Sequence, residues 1–258
     1  MNQKELEEFM YNVMNELHHT SAPLVFMGAM VLRQVLRDYG FTKVDRNTRD
    51  IDCNWIGSPP TMDDLLKLLT YSIRKYKDMY SAVIIRNYDS ERTACLAVID
   101  NKTNNQIFRI DIGIFPVIAE KMYYYGQYSF PGVLPNEMLC DKLFVLSRDI
   151  ILRRAKDTLD VYLLANCISI DTDNIFLTLK KKSMFPLNSF DVFLNRTDEL
   201  EHSYNKTRRI INKPDFKDVH SYLKIFLAPF ILNTQETLIW DNENILWKQN
   251  PDNDTLGP

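Results

Sequence analysis

Strand-like and helical patterns are segregated along this chain, and that segregation limits the fold more than any single motif does. Residues 24–27 form a short apolar run that ends at Gly28, and 29–39 return to helical spacing through Val31, Leu32, Val35 and Leu36. The segment 50–55 alternates polar and apolar residues, as a half-buried strand does. Strand-like runs follow at 81–87, 93–99 and 107–115, divided by turn material such as Asp100-Asn101 and Thr103-Asn104-Asn105. An amphipathic helix is expected over 4–17, and Pro59-Pro60-Thr61 opens another over 62–76. After a Tyr-rich loop at 122–130 and a Pro131-Gly132 turn, the spacing is helical from 135 to about 168, then irregularly helical to about 232. The expected class is therefore α+β. A mixed β-sheet with flanking helices fills a domain over 1–130, a helical domain spans 131–239, and 240–258 is a loosely held polar tail.

With 258 residues, the chain has room for one large domain or two small ones. Its 31 Lys and Arg against 34 Asp and Glu give a net charge of -3, so no global field draws it onto nucleic acid or acidic lipid. Any polyanion must meet a local patch. Cys53, Cys95, Cys140 and Cys167 are far apart and form no CxxC, which argues for reduced thiols over a zinc ribbon or redox pair. The first residues carry no signal-peptide pattern, and no apolar stretch approaches membrane-spanning length, so the expected location is the cytoplasm, with no membrane partner.

The chemistry lies in the strand-like half. Asp50 and Asp52 sit two residues apart on one strand and so face the same side, while Asp111 points away from Ile110 and Ile112 on another. A divalent ion such as Mg2+ prefers oxygen ligands and is commonly held by one or two carboxylates plus substrate phosphates. An Asp-x-Asp strand supplies such a pair, and a third carboxylate suits the second ion of a two-metal phosphoryl transfer. Gly28 lets backbone approach a phosphate, and the N–H groups at Gly28-Ala29, opening a helix, point at the anion. An Asp-x-Asp pair alone is a common strand-edge pattern. The ordering of strand-Gly-helix, paired aspartates and a later strand aspartate makes the signal.

These residues resemble the DNA polymerase β-like nucleotidyltransferase superfamily, whose pattern is hG[GS], then DxD, then a further strand Asp. Here it reads Met27-Gly28-Ala29, Asp50-Ile51-Asp52 and Ile110-Asp111-Ile112. More narrowly, Arg49-Asp50-Ile51-Asp52, the segment 137–143 and the segment 153–160 resemble the AbiEii/AbiGii-type nucleotidyltransferase toxins, over about residues 20–168. The resemblance implies a nucleotidyltransferase core over 1–130. It also implies a lysine in the helical half that binds the nucleoside triphosphate and an RxKDxxD-type helix with a further acidic residue. Lys142 and Asp157 match those positions, and Asp160 is a second candidate. It further implies Mg2+ or Mn2+ as cofactor, an NTP as substrate, an RNA acceptor such as tRNA, and a cognate antitoxin. Ala29 departs from the pattern, because a serine there could grip the triphosphate through its hydroxyl. Arg49 and Arg46 could compensate.

Within the helical half, Lys156, Asp157 and Asp160 form one dense charged turn, which reads equally as a solvated helix face. Lys142 lies beside an apolar stripe, where a snorkelling lysine is also common. The run 180–182 and the segment 206–209 could hold an RNA backbone or simply face water. No GxSxG, HExxH or GxxxxGK[ST] occurs, which excludes the usual hydrolase, zinc-protease and P-loop readings. Two rivals stay open: a small-molecule nucleotidyltransferase, as for antibiotics, and a binding module without catalysis.

Overall fold

The computed structural model describes residues 1–88, 92–234 and 236–250. The chain divides into two compact units, Met1–Gln34 with Arg46–Leu134 and Val35–Asp45 with Pro135–Pro258.

In the first unit, α1 (Gln3–His19) opens with a capping box. Asn2 Oδ1 accepts from the Glu5 N–H, and the Glu5 carboxylate accepts from the Asn2 N–H, so two orphan donors are met at once. Its apolar stripe, Leu6, Phe9, Met10, Val13, Met14 and Leu17, is buried, as the spacing predicts. There follow β1 (Leu24–Met27), α2 (Gly28–Asp38), the short β2 (Asp45–Arg46), β3 (Asp50–Trp55) and α3 (Met62–Ser72). Thr61 caps α3 by accepting from the Asp64 N–H, and Asp63 and Asp64 occupy the first turn, where the helix dipole favours negative charge. This helix stops at Ser72, short of the expected 76, and a 3-10 turn covers Arg74–Tyr76.

The sheet is completed by β4 (Tyr80–Arg86), β5 (Thr93–Asp100), β6 (Gln106–Gly113), β7 (Glu120–Tyr125) and β8 (Tyr128–Val133). The strand order is β4-β5-β6-β3-β1-β8-β7. Pairs β3/β6 and β1/β8 are parallel and the remainder antiparallel, so the sheet is mixed. Phe26, Phe108, Phe130, Met10, Met14 and Met30 are fully buried in this unit's core.

The segment 122–130, read from sequence as a loop, is mostly strand. Tyr123 pairs with Phe130 across a hairpin turned at Gly126 (φ +56), and the two rings stack at 6.0 Å. Tyr123 faces inward and Tyr124 outward, the alternation of a half-buried strand. Pro131 and Gly132, expected as a turn, lie within β8. A Cβ at Gly132 would stand 2.9 Å from the Tyr123 ring, so glycine there permits close packing of strand and ring.

The second unit is mainly helical: α4 (Pro135–Leu146), α5 (Lys156–Cys167), α6 (Thr172–Lys181), α7 (Asp191–Asn195), α8 (Thr197–Asn205), α9 (Phe216–Phe226) and α10 (Ala228–Leu232), with a short β9 (Ile210–Ile211) before α9. The division of the chain at Leu134 and Pro135 lies a few residues beyond the expected 130, and 35–45 belongs with this second unit. The expected loose tail is a correction as well. β10 (Leu238–Asp241) and β11 (Leu246–Gln249) pair in a hairpin. Trp240 and Trp247 pack at 5.2 Å, and their indole N–H groups donate to the Ala165 and Phe226 carbonyls at 2.8 and 3.0 Å. Paired aromatics with satisfied N–H groups anchor a segment that is otherwise rich in polar residues. Residues 251–258 of that tail lie outside the described residues.

Candidate active site

The first unit gathers Gly28, Asp50, Asp52 and Asp111. Strand β3 is flanked by β1 and β6, with Met27 opposite Asp52, Asp50 opposite Arg109 and Asp52 opposite Asp111. Alternation then puts Asp50, Asp52, Arg109 and Asp111 on one face of the sheet in a two-by-two block. The Asp50 side chain is 30% exposed and that of Asp111 20%, so both are open to a ligand while their strands are held in the core.

Gly28 is required twice. Its φ of +70 favours glycine, and a Cβ there would sit 2.0 Å from Asp52 Oδ2. The missing side chain thus makes room for a carboxylate beside the first residue of α2. Ala29 is buried and offers only its backbone to an anion, whereas Arg49 is exposed and Arg46 buried.

Arg109 is the member of this face that sequence reasoning missed. Its Nε is 3.0 Å from Asp50 Oδ1 and 3.1 Å from Asp111 Oδ2, and Arg86 Nη2 approaches Asp111 Oδ1 at 4.0 Å. Partial burial opposes the Arg109 charge, but Asp50 and Asp111 outweigh it and hold its pKa above the ordinary value. The available signal was its place two residues before Asp111 on the same strand. Two thiols lie near this face. Burial, reinforced by the charges of Asp52 and Asp111, pushes Cys53 well above its usual range, and burial together with Asp111 pushes Cys95 up to about 12. Both stay protonated at neutral pH, which leaves carboxylates as the anionic donors.

Three carboxylates are a hard-oxygen donor set, and those of Asp50 and Asp111 are partly exposed, so the residues fit a divalent ion such as Mg2+ or Mn2+. Among the described residues no three acidic, Cys or His side chains are already drawn around one common point. In this unit the Arg109 guanidinium instead bridges two of the carboxylates.

The second unit brings Lys142, Asp157 and Asp160 together. Lys142 Nζ pairs with Asp157 Oδ1 and lies 2.9 Å from Asp160 Oδ2, while Arg154 Nε reaches Asp157 Oδ2 at 2.7 Å. The side chains of Asp157 and Asp160 are 0% and 1% exposed. The solvated-face reading of this turn is therefore corrected for the two aspartates, though Lys156 is exposed. A second buried cluster, also missed, joins Lys182 Nζ to Glu137 Oε1 at 3.0 Å and Asp141 Oδ1 at 2.6 Å. Burial works against the Lys182 charge, yet Asp141 and Glu137 outweigh it and raise its pKa. Lys182 thus belongs to the interior of its unit, although it closes an exposed-looking lysine run.

Residues 10–222 match the family described as nucleotidyl transferase AbiEii toxin, type IV TA system. The chain belongs to the AbiEii nucleotidyltransferase toxin family. It is accordingly a nucleotidyltransferase, a toxin of the type IV toxin-antitoxin class, and the AbiEii family implies an NTP substrate and an antitoxin partner. Among solved structures, the MenT4 nucleotidyltransferase toxin of Mycobacterium tuberculosis shares the fold, with a TM-score of 0.55 at 15% identity over 89% of this chain and 84% of that one. An antigenic nucleotidyltransferase-like protein of Paracoccidioides brasiliensis is similar at a TM-score of 0.44 and 11% identity, over 73% of this chain and 95% of that one. Among curated proteins there is no match. No helix of the described residues is long and apolar enough to cross a membrane.

Proposed function

We propose that this AbiEii-family chain transfers an NMP unit from an NTP to a hydroxyl of an RNA acceptor such as tRNA, releasing pyrophosphate, with Mg2+ or Mn2+ as cofactor and the cytoplasm as its location. The observation that carries the reading is the block of Asp50, Asp52 and Asp111 on one open sheet face beside the Gly28 turn. A bound divalent ion would supply Lewis-acid stabilisation of the charge that develops on the phosphoryl oxygens. Asp50 and Asp52 would hold the metal. Asp111 would complete the donor set and accept the proton of the attacking hydroxyl, which passes from the acceptor oxygen to Oδ as the new P–O bond forms. Backbone N–H groups at Gly28 and Ala29 would meet the triphosphate, and exposed Arg49 adds a cation near Asp50. The resemblance extends triphosphate binding to Lys142 and gives Asp157 as a further catalytic acid, with Asp160 the second candidate for that role; both aspartates pair with Lys142.

The test is incubation with each labelled NTP, Mg2+ and total cellular RNA, beside Asp50→Asn. Label joined to RNA by the unaltered chain, absent from a variant with the same melting temperature, is the expected result. Full transfer by Asp50→Asn overturns the metal assignment. Label that joins small molecules and never RNA overturns the acceptor.

A further inference from the structure

The block of Asp50, Asp52, Arg109 and Asp111 sets three negative charges beside Arg109 on a single face, with Arg86 Nη2 farther off at 4.0 Å from Asp111 Oδ1. One atom, Arg109 Nε, serves two carboxylates, at 3.0 Å to Asp50 and 3.1 Å to Asp111. That nitrogen carries one hydrogen, so the two acceptors share it and neither gains a full linear hydrogen bond. What remains is mainly charge attraction, and the Arg109 side chain is 46% exposed, which screens it. The arrangement is held together and yet easily exchanged.

We propose that Arg109 is the resident cation of this face, competing with the divalent metal for Asp50 and Asp111 and so setting a threshold against metal binding without nucleotide. The inference rests on the reading of these carboxylates as the metal site. A metal ion held by Asp50 and Asp111 would draw on the same two carboxylates that Arg109 now holds through Asp50 Oδ1 and Asp111 Oδ2, so the two cations would repel each other and compete for that negative charge. An incoming triphosphate changes the balance, because its negative charge offers the guanidinium another partner, and Arg binds phosphate oxygens well. Metal and nucleotide then bind cooperatively, each assisting the other by the same factor. Arg109 is here a positioning residue, acting through the carboxylates.

The experiment is Mn2+ titration followed by electron paramagnetic resonance on the full chain, with and without a non-hydrolysable NTP analogue. Arg109→Gln is compared with Arg49→Gln, which removes the same charge one residue from Asp50. Without nucleotide, Arg109→Gln should bind Mn2+ about fivefold more tightly than the unaltered chain, the order expected for losing a partly exposed cation with two partners. With the analogue, that advantage should disappear. Equal or weaker nucleotide-free binding by Arg109→Gln, or the same tightening in Arg49→Gln, overturns the proposal. A measurement on the unaltered chain covers the case in which the variant does not fold: the Arg109 Nε–H NMR resonance should move when Mg2+ and the analogue are added together. If it stays fixed, the proposal fails. Should the unaltered chain bind no Mn2+ even with the analogue, the metal-site reading falls first and this inference with it.

Discussion

Two groups of aspartates sit in opposite electrical settings. On the β3–β6 face, Asp50 and Asp111 are 30% and 20% exposed and share one arginine nitrogen. Between α4 and α5, Asp157 and Asp160 are shut from water and divide Lys142 and Arg154 between them. The first group has an excess of negative charge that a small cation can use. The second is formally balanced, with two cations on two carboxylates, and burial makes Lys142, Asp157 and Asp160 costly to remove. Residue type alone does not distinguish them; surroundings do.

The contrast can be broken by substitution. Lys142→Met leaves two buried carboxylates short of a partner, so it should lower stability by about 3–5 kcal/mol, whereas Asp50→Asn should cost under about 1 kcal/mol. Urea unfolding of both variants checks this, and similar losses would erase the distinction. Gly28→Ala comes next. The positive φ and the overlap with Asp52 Oδ2 should cost about 1–3 kcal/mol, and transfer should fall further than stability because the carboxylate must move. A variant with normal melting and normal transfer would show that the Gly28 turn does not serve the site.

The smallest effect is at Glu16, away from both groups. Burial works to raise its pKa, but hydrogen bonds and charge from Lys75 and Arg74 prevail and hold it below the usual value. A depressed carboxylate stabilises the fold above its unfolded pKa, and that contribution disappears as the pH falls through the folded value. Glu16→Gln should therefore melt slightly lower than the unaltered chain at pH 7, by about half a kcal/mol, with the gap closing toward acid pH. A constant gap across melting curves at several pH values would show that the loss is one of packing.

Much of the first group was legible in sequence because strand alternation is a local rule. Two residues apart on one strand means one face, so Asp50 with Asp52 needed no tertiary knowledge, and Gly28 marked a turn in a glycine-poor chain. The pairing of Arg109 depended on the β3–β6 register, which comes from strands joined through a long intervening chain. The second group was legible as motif positions but not as a buried network. Charge runs look solvated until a neighbouring helix covers them, and Lys182, the last of three lysines, shows the same limit. The β7–β8 hairpin was obscured by Pro131 and Gly132, which punctuate loops in most contexts but here lie in β8, with Gly132 packed beside a tyrosine ring. The C-terminal hairpin was hidden because two tryptophans carry its packing within a polar stretch.

The open carboxylate face, rather than the buried one, is the proposed seat of the metal. The most direct test is an anomalous-difference map from crystals grown with MnCl2 and a non-hydrolysable NTP. A peak at ligand distance from Asp50 and Asp52, with Arg109 moved off Asp50, is the expected outcome. A peak elsewhere in the chain, with the Arg109 bridge intact, would contradict it.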